Sequence, residues 1–170
     1  SHLQAGAVLR NMYYKDEVED KDRIVTGWGA SLSGIWQFAE NTSLCFQGVY
    51  GKGISNYIQD ISGSGLDLVP SATAEGKLKA FNAWGGYIGF SHNWSKVLTS
   101  NIMYSYARVL DRYGMPATSY KYAQYAAANL FWDFSEYGSC AIEYVFGRRN
   151  DFNKDYGNAS RINTMIQYRF

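Results

Sequence analysis

Nowhere in this chain do about eighteen apolar residues follow one another, so no segment qualifies as a transmembrane helix. Mean hydropathy is only −0.31. Proline is scarce, with 2 in 170 residues, which leaves long extended segments uninterrupted. Histidine and cysteine number 2 each, at His2, His92, Cys45 and Cys140, and their spacing makes no metal site. Strand parity points Cys45 inward and Cys140 outward, so they are expected as free thiols, not a bridge. The formal net charge of +1 carries no nucleic-acid signature. No secretory signal is present, and Ser1 begins directly in a strand-like pattern. Any targeting segment is therefore expected to have been removed or never included.

Aromatics, by contrast, make up 17% of the chain, with 15 Tyr and 5 Trp, beside 17 Gly. The alternation is clearest from Arg161 to Phe170. Ile162, Thr164, Ile166, Tyr168 and Phe170 share one face of an extended strand; Arg161, Asn163, Met165, Gln167 and Arg169 share the other. A strand of this length tilted in a bilayer would span it. The same alternation predicts seven earlier strands, near 3–14, 23–38, 44–56, 78–90, 96–109, 120–132 and 139–149. Short connections at 39–42, 91–95 and 133–138 alternate with longer polar ones at 15–22, 57–77, 110–119 and 150–158. That rule fits an outer-membrane barrel with short periplasmic turns and longer external loops.

The aromatics fall near both ends of the strands. Trp36, Phe38, Phe46, Phe90, Trp94, Trp132, Tyr137, Tyr168 and Phe170 lie by the short turns. Trp28, Tyr50, Tyr104, Tyr106, Tyr122 and Tyr144 lie nearer the long loops. Trp28 and Phe38 share a face about 33 Å apart along a strand, which a tilt reduces to about 25 Å, the height of an apolar membrane band. Trp28, Trp36, Phe38, Trp94, Trp132, Tyr168 and Phe170 are the expected aromatic girdle. The predicted fold is all-β: an antiparallel transmembrane β-barrel region of eight strands over residues 1–170, in contact with membrane lipid and lipopolysaccharide.

Charge separates wall from loops. Acids crowd the connections, and only Glu143 lies well inside a strand. Arg10, Arg23, Lys79, Lys121, Arg149, Arg161 and Arg169 carry inward parity, avoiding the roughly 2–4 kcal/mol cost of a basic residue facing lipid at mid-bilayer. Arg108 and Lys52 break the parity near external strand ends, where a long side chain can snorkel. Arg10, Arg23, Lys79, Arg149 and Arg161 are the candidate pore-lining cations, and cations around an aqueous constriction favour anions. A structural alternative pairs them with Glu143 and loop acids. Small inward residues (Gly6, Gly27, Gly29, Gly85, Gly89, Gly147) together with these cations favour a water-filled lumen, wider than eight strands enclose. They also fit a closed eight-stranded barrel with a structural or loop-mediated binding role, the loop at 57–77 foremost.

Catalysis finds little support. Adjacent Ser91 and His92 point to opposite faces of one strand and cannot form a dyad, and His92 is expected at an interfacial turn. No catalytic residue and no cofactor is implied.

Gly51-Lys52-Gly53-Ile54-Ser55-Asn56-Tyr57-Ile58 followed by Asp67-Leu68-Val69, then Gly85-Gly86-Tyr87-Ile88-Gly89-Phe90-Ser91-His92-Asn93-Trp94, Asn129-Leu130-Phe131-Trp132-Asp133 and Glu143-Tyr144-Val145-Phe146-Gly147-Arg148-Arg149, resemble in order the C-terminal half of the DcaP-like porin family. The resemblance implies a barrel of about sixteen strands, a homotrimer, an internal loop that narrows the pore, and diffusion of small anions such as dicarboxylates. The location would be the outer membrane of a Gram-negative bacterium.

Overall fold

A computed structural model describes residues 1–170. Eight long strands pair in sequence order into one antiparallel sheet: β1 (His2–Asp16), β2 (Lys21–Ala39), β3 (Thr42–Lys52), β6 (Asn82–Asn93), β7 (Leu98–Val109), β8 (Tyr120–Asp133), β9 (Gly138–Asp151) and β10 (Tyr156–Tyr168). The short strands β4 (Leu68–Pro70) and β5 (Leu78–Ala80) form a separate ribbon. No helix is long and apolar enough to cross a membrane; only two 3₁₀ turns, Ser55–Tyr57 and Gln59–Ile61, interrupt the strands. The fold is thus all-β and antiparallel. Its sheet is open, since β1 and β10 pair with β2 and β9 but not with each other.

The register follows the alternation in the sequence. Arg161 of β10 lies opposite Val145, Asn163 opposite Glu143, and Ile162 opposite Tyr144, so each face keeps its character from strand to strand. Two segments expected as long loops are instead tight turns. The expected 15–22 loop reduces to residues 17–20, and the 150–158 loop to 152–155. Their polar residues supply turn chemistry at the tips of extended hairpins. Asp16 Oδ1 accepts hydrogen bonds from the amides of Val18 (3.1 Å) and Glu19 (3.2 Å), and Asp20 adopts φ 49°. Asn153 Oδ1 accepts from Asp155 N at 3.0 Å, beside Lys154 at φ 75°. The strand expected at 78–90 is divided: Leu78–Ala80 belongs to the ribbon and the wall begins at Asn82.

Only 25 of 170 residues are buried, so neither face of the sheet is a conventional core. The packed cluster lies between the wall and the segment 53–81: Ile54, Ile58, Ile61, Val69 and Phe81 from that segment, Ala83, Ala107 and Val109 from the wall, and Met115 from the β7–β8 loop. The opposite face is a continuous display of exposed large apolar side chains.

Candidate functional site

The segment between β3 and β6 leaves the wall at Gly53, whose φ of +64° reverses the chain; a Cβ there would meet Met12 Cε at 2.5 Å. Its ends are tied together, Gly53 N donating to Phe81 O (2.8 Å) and Phe81 N to Asp67 O (3.2 Å). From there the segment folds over one face of the sheet, which defines the inner face. Ile54 sits over Gly29, where a Cβ would meet its Cγ2 at 2.9 Å, and Ile58 sits over Gly85, at 3.1 Å. Full burial of an isoleucine or phenylalanine contributes about 1.5–3 kcal/mol, so the seats of Ile54, Ile58, Ile61 and Phe81 hold the loop firmly. Gly29 and Gly85, read from the sequence as room for water, are instead sockets for the loop's isoleucines.

Asp67 is the polar anchor. It accepts from Arg10 Nη1 (3.0 Å), Ser55 Oγ (2.8 Å) and Asn56 Nδ2 (2.9 Å), with its side chain only 15% exposed. Arg10 also donates to Gly53 O (3.2 Å) and lies 5.8 Å from the Tyr57 ring. Arg10 therefore joins β1 to the loop with its charge matched by a carboxylate.

The other candidate cations are dispersed. Arg23 binds Asp16 through Nε (2.7 Å) and Glu19 through Nη2 (2.8 Å) at the tip of the first hairpin. Arg149 pairs with Asp151 at 2.9 Å and lies 5.7 Å from the Tyr120 ring, still largely exposed. Lys79 is on β5, outside the wall, because the chain rejoins the sheet only at Asn82; its ammonium is 5.9 Å from the Tyr113 ring. Arg161 is exposed on the inner face of β10 opposite Val145. The five do not converge on one ring. Glu143 is held by asparagines and not by arginine, accepting from Asn163 Nδ2 (2.9 Å) and Asn129 Nδ2 (3.4 Å), while Asn129 accepts from Asn101 (2.8 Å).

Between loop and wall a cleft of about 530 Å³ remains. The loop contributes Tyr57, Gln59 and Asp60, and the wall Gln47, Tyr87, Ser105 and Tyr125. Partial desolvation pushes the Asp60 carboxyl above the ordinary carboxylate range. The cleft can hold a small hydrated solute against hydroxyl and amide groups on one side and a single carboxylate on the other. The sequence did not single out these residues or Asp67. The only available signal was that a long polar connection also carried buried-type residues, Ile54, Ile58, Ile61 and Val69.

The expected girdle residues Trp28, Trp36, Phe38, Trp94, Trp132, Tyr168 and Phe170 are all exposed. Several interlock along the short-turn edge: Trp36 with Phe38 (5.8 Å), Phe38 with Phe90 (6.0 Å) and Tyr168 with Phe170 (5.5 Å). His92 lies within β6 and not in a turn, its Nδ1 2.8 Å from Thr42 Oγ1 and its ring 4.5 Å from that of Trp94. Both cysteines are free.

No family model and no curated protein matches the chain. The outer membrane channel DcaP of Acinetobacter baumannii does match in structure, with a TM-score of 0.76 at 20% sequence identity, over 99% of this chain and 47% of that one. The chain spans about half the length of that channel and shares its fold over that span.

Proposed function

We propose that this chain forms part of the wall and the constriction loop of a passive diffusion channel in the outer membrane of a Gram-negative bacterium. The observation that carries the reading is the segment 53–81 folded onto one face of an open, lipid-compatible sheet, with a polar cleft left beside it. An open sheet of eight strands fits a wider barrel, of about sixteen strands, that encloses an aqueous lumen. The likeness to the DcaP channel supports the same reading, and homotrimeric assembly belongs to it as a proposal.

The solutes are small and hydrophilic, with anions such as dicarboxylates preferred. Arg161, Arg149 and Lys79 supply the positive field, while Arg10 and Arg23 are neutralised by their own carboxylates. Reversal potential across a planar bilayer under a salt gradient tests this. Anion selectivity is expected, and substituting Arg10, Arg23, Lys79, Arg149 and Arg161 by Gln should move it toward cations. Arg161→Gln should move it more than Arg10→Gln. Cation selectivity of the unaltered channel, or no conductance, overturns the proposal.

A further inference from the structure

On the outer face, between β3, β6 and β7, lies an apolar groove of about 940 Å³. Its floor is Gly48 and Gly86, and its walls are Tyr50 and Trp84 on one side and Tyr104 and Tyr106 on the other. A Cβ added at Gly48 would meet nothing within 4 Å, so the groove is open space and not tight packing.

Toward the long-loop edge from this groove, two arginines face outward. Arg108 of β7 lies opposite Trp84 on one side and Tyr122 on the other; Arg148 of β9 lies opposite Gln124. Only β8 separates them, a backbone distance of about 10 Å, which two guanidinium side chains can span toward one anion. Neither makes a salt bridge with any carboxylate of the chain. The Nε of each is buried without a hydrogen-bond partner. Arg148 stacks 4.2 Å from the Tyr156 ring, and Tyr106 and Tyr122 stack at 5.5 Å between the two arginines and the groove. A charge so placed on a lipid-facing wall is costly unless an anion meets it, and paired guanidinium forks suit a phosphate.

Resting on the membrane-channel reading above, we infer that this face binds a phosphorylated lipid of the outer leaflet. One acyl chain lies in the Gly48–Gly86 groove, and the headgroup phosphate lies on Arg108 and Arg148. The strand order places apolar groove and cationic pair in the right sequence for one amphiphile, chain toward the bilayer centre and phosphate toward the long-loop edge.

The test is native mass spectrometry and a binding titration on the protein purified from membranes in detergent, with diphosphorylated lipid A as probe. Retained lipid A is expected, with affinity falling at least about tenfold in Arg108→Gln/Arg148→Gln, a loss in the range of charge-assisted hydrogen bonds. Arg108→Lys/Arg148→Lys should recover part of it. Gly48→Phe, which fills the groove without a clash, should weaken lipid A binding while leaving conductance unchanged. Equal binding of dephosphorylated lipid A, or no effect of the arginine variants, overturns the assignment. Competition by inorganic phosphate as effective as by lipid A would make this a free-anion site and also overturns it. Normal conductance without lipid A binding removes this inference alone; failure to insert into bilayers removes the channel reading beneath it.

Discussion

Gly29 and Gly85 face inward, and Gly48 and Gly86 face outward, on the same central strands. Inside, the space they leave is taken by the chain itself: Ile54 and Ile58 sit in the sockets, and Asp67 clamps the segment to Arg10. Outside, the space is a groove that no residue of the chain enters. A glycine in a strand vacates the same volume on either face; the environment decides whether protein or lipid occupies it. The inner side is finished by specific, directional contacts. The outer side shows a field of exposed aromatics and aliphatics, larger than the patches soluble monomers expose, which asks only for an apolar solvent.

The comparison breaks most sharply at Asp67. Asp67→Ala should release the loop and leave Arg10 uncompensated, costing about 2–3 kcal/mol of loop docking. Single-channel conductance should rise, and the segment 53–81 should become sensitive to protease. An unchanged conductance with an intact loop would mean that the apolar seats hold the segment without the anchor.

A smaller effect is expected from the sockets. Gly85→Val should push Ile58 off the wall at about 1–3 kcal/mol, the usual cost of overpacking. Gly147→Val, where a Cβ meets nothing within 4 Å, should be silent. Hydrogen exchange of residues 54–61 in the two variants reads the difference, and equal protection would deny that the glycines are seats.

The smallest effect concerns pH. The carboxyl of Asp60 titrates above its ordinary value of 3.8 because burial disfavours its charge. Sign follows from linkage. The folded loop favours the neutral acid, so stability is lost as pH rises from the unfolded value through the raised folded one. Asp60→Asn should therefore stabilise the docked loop slightly at neutral pH and make no difference well below pH 3.8, measured by unfolding in detergent at both pH values. Destabilisation by Asn at neutral pH would contradict the burial argument.

Much of the wall was legible from the residues. The alternation in 161–170 and its counterparts gave eight strands, their order and the facing of Arg161, Glu143, Cys45 and Cys140, because a strand's period of two is a local property. Turn chemistry was less legible: Asp16 and Asn153 read as loop, yet they close tight hairpins by bonding their own backbone. The candidate site was least legible. Lys79 follows strand parity but lies off the wall, and Arg10 reads as a free cation although Asp67, far along the chain, neutralises it. Arg148 escaped notice although its outward parity was there to read.

What the sequence determined by itself is the two-faced wall, since alternating apolar and polar side chains need no distant partner to choose their sides. What only the tertiary structure decided is where the long connection goes. Whether residues 53–81 extend outward or fold inward depends on glycine sockets in β2 and β6 and on a carboxylate meeting an arginine of β1, contacts between parts of the chain that become neighbours only once the sheet has formed.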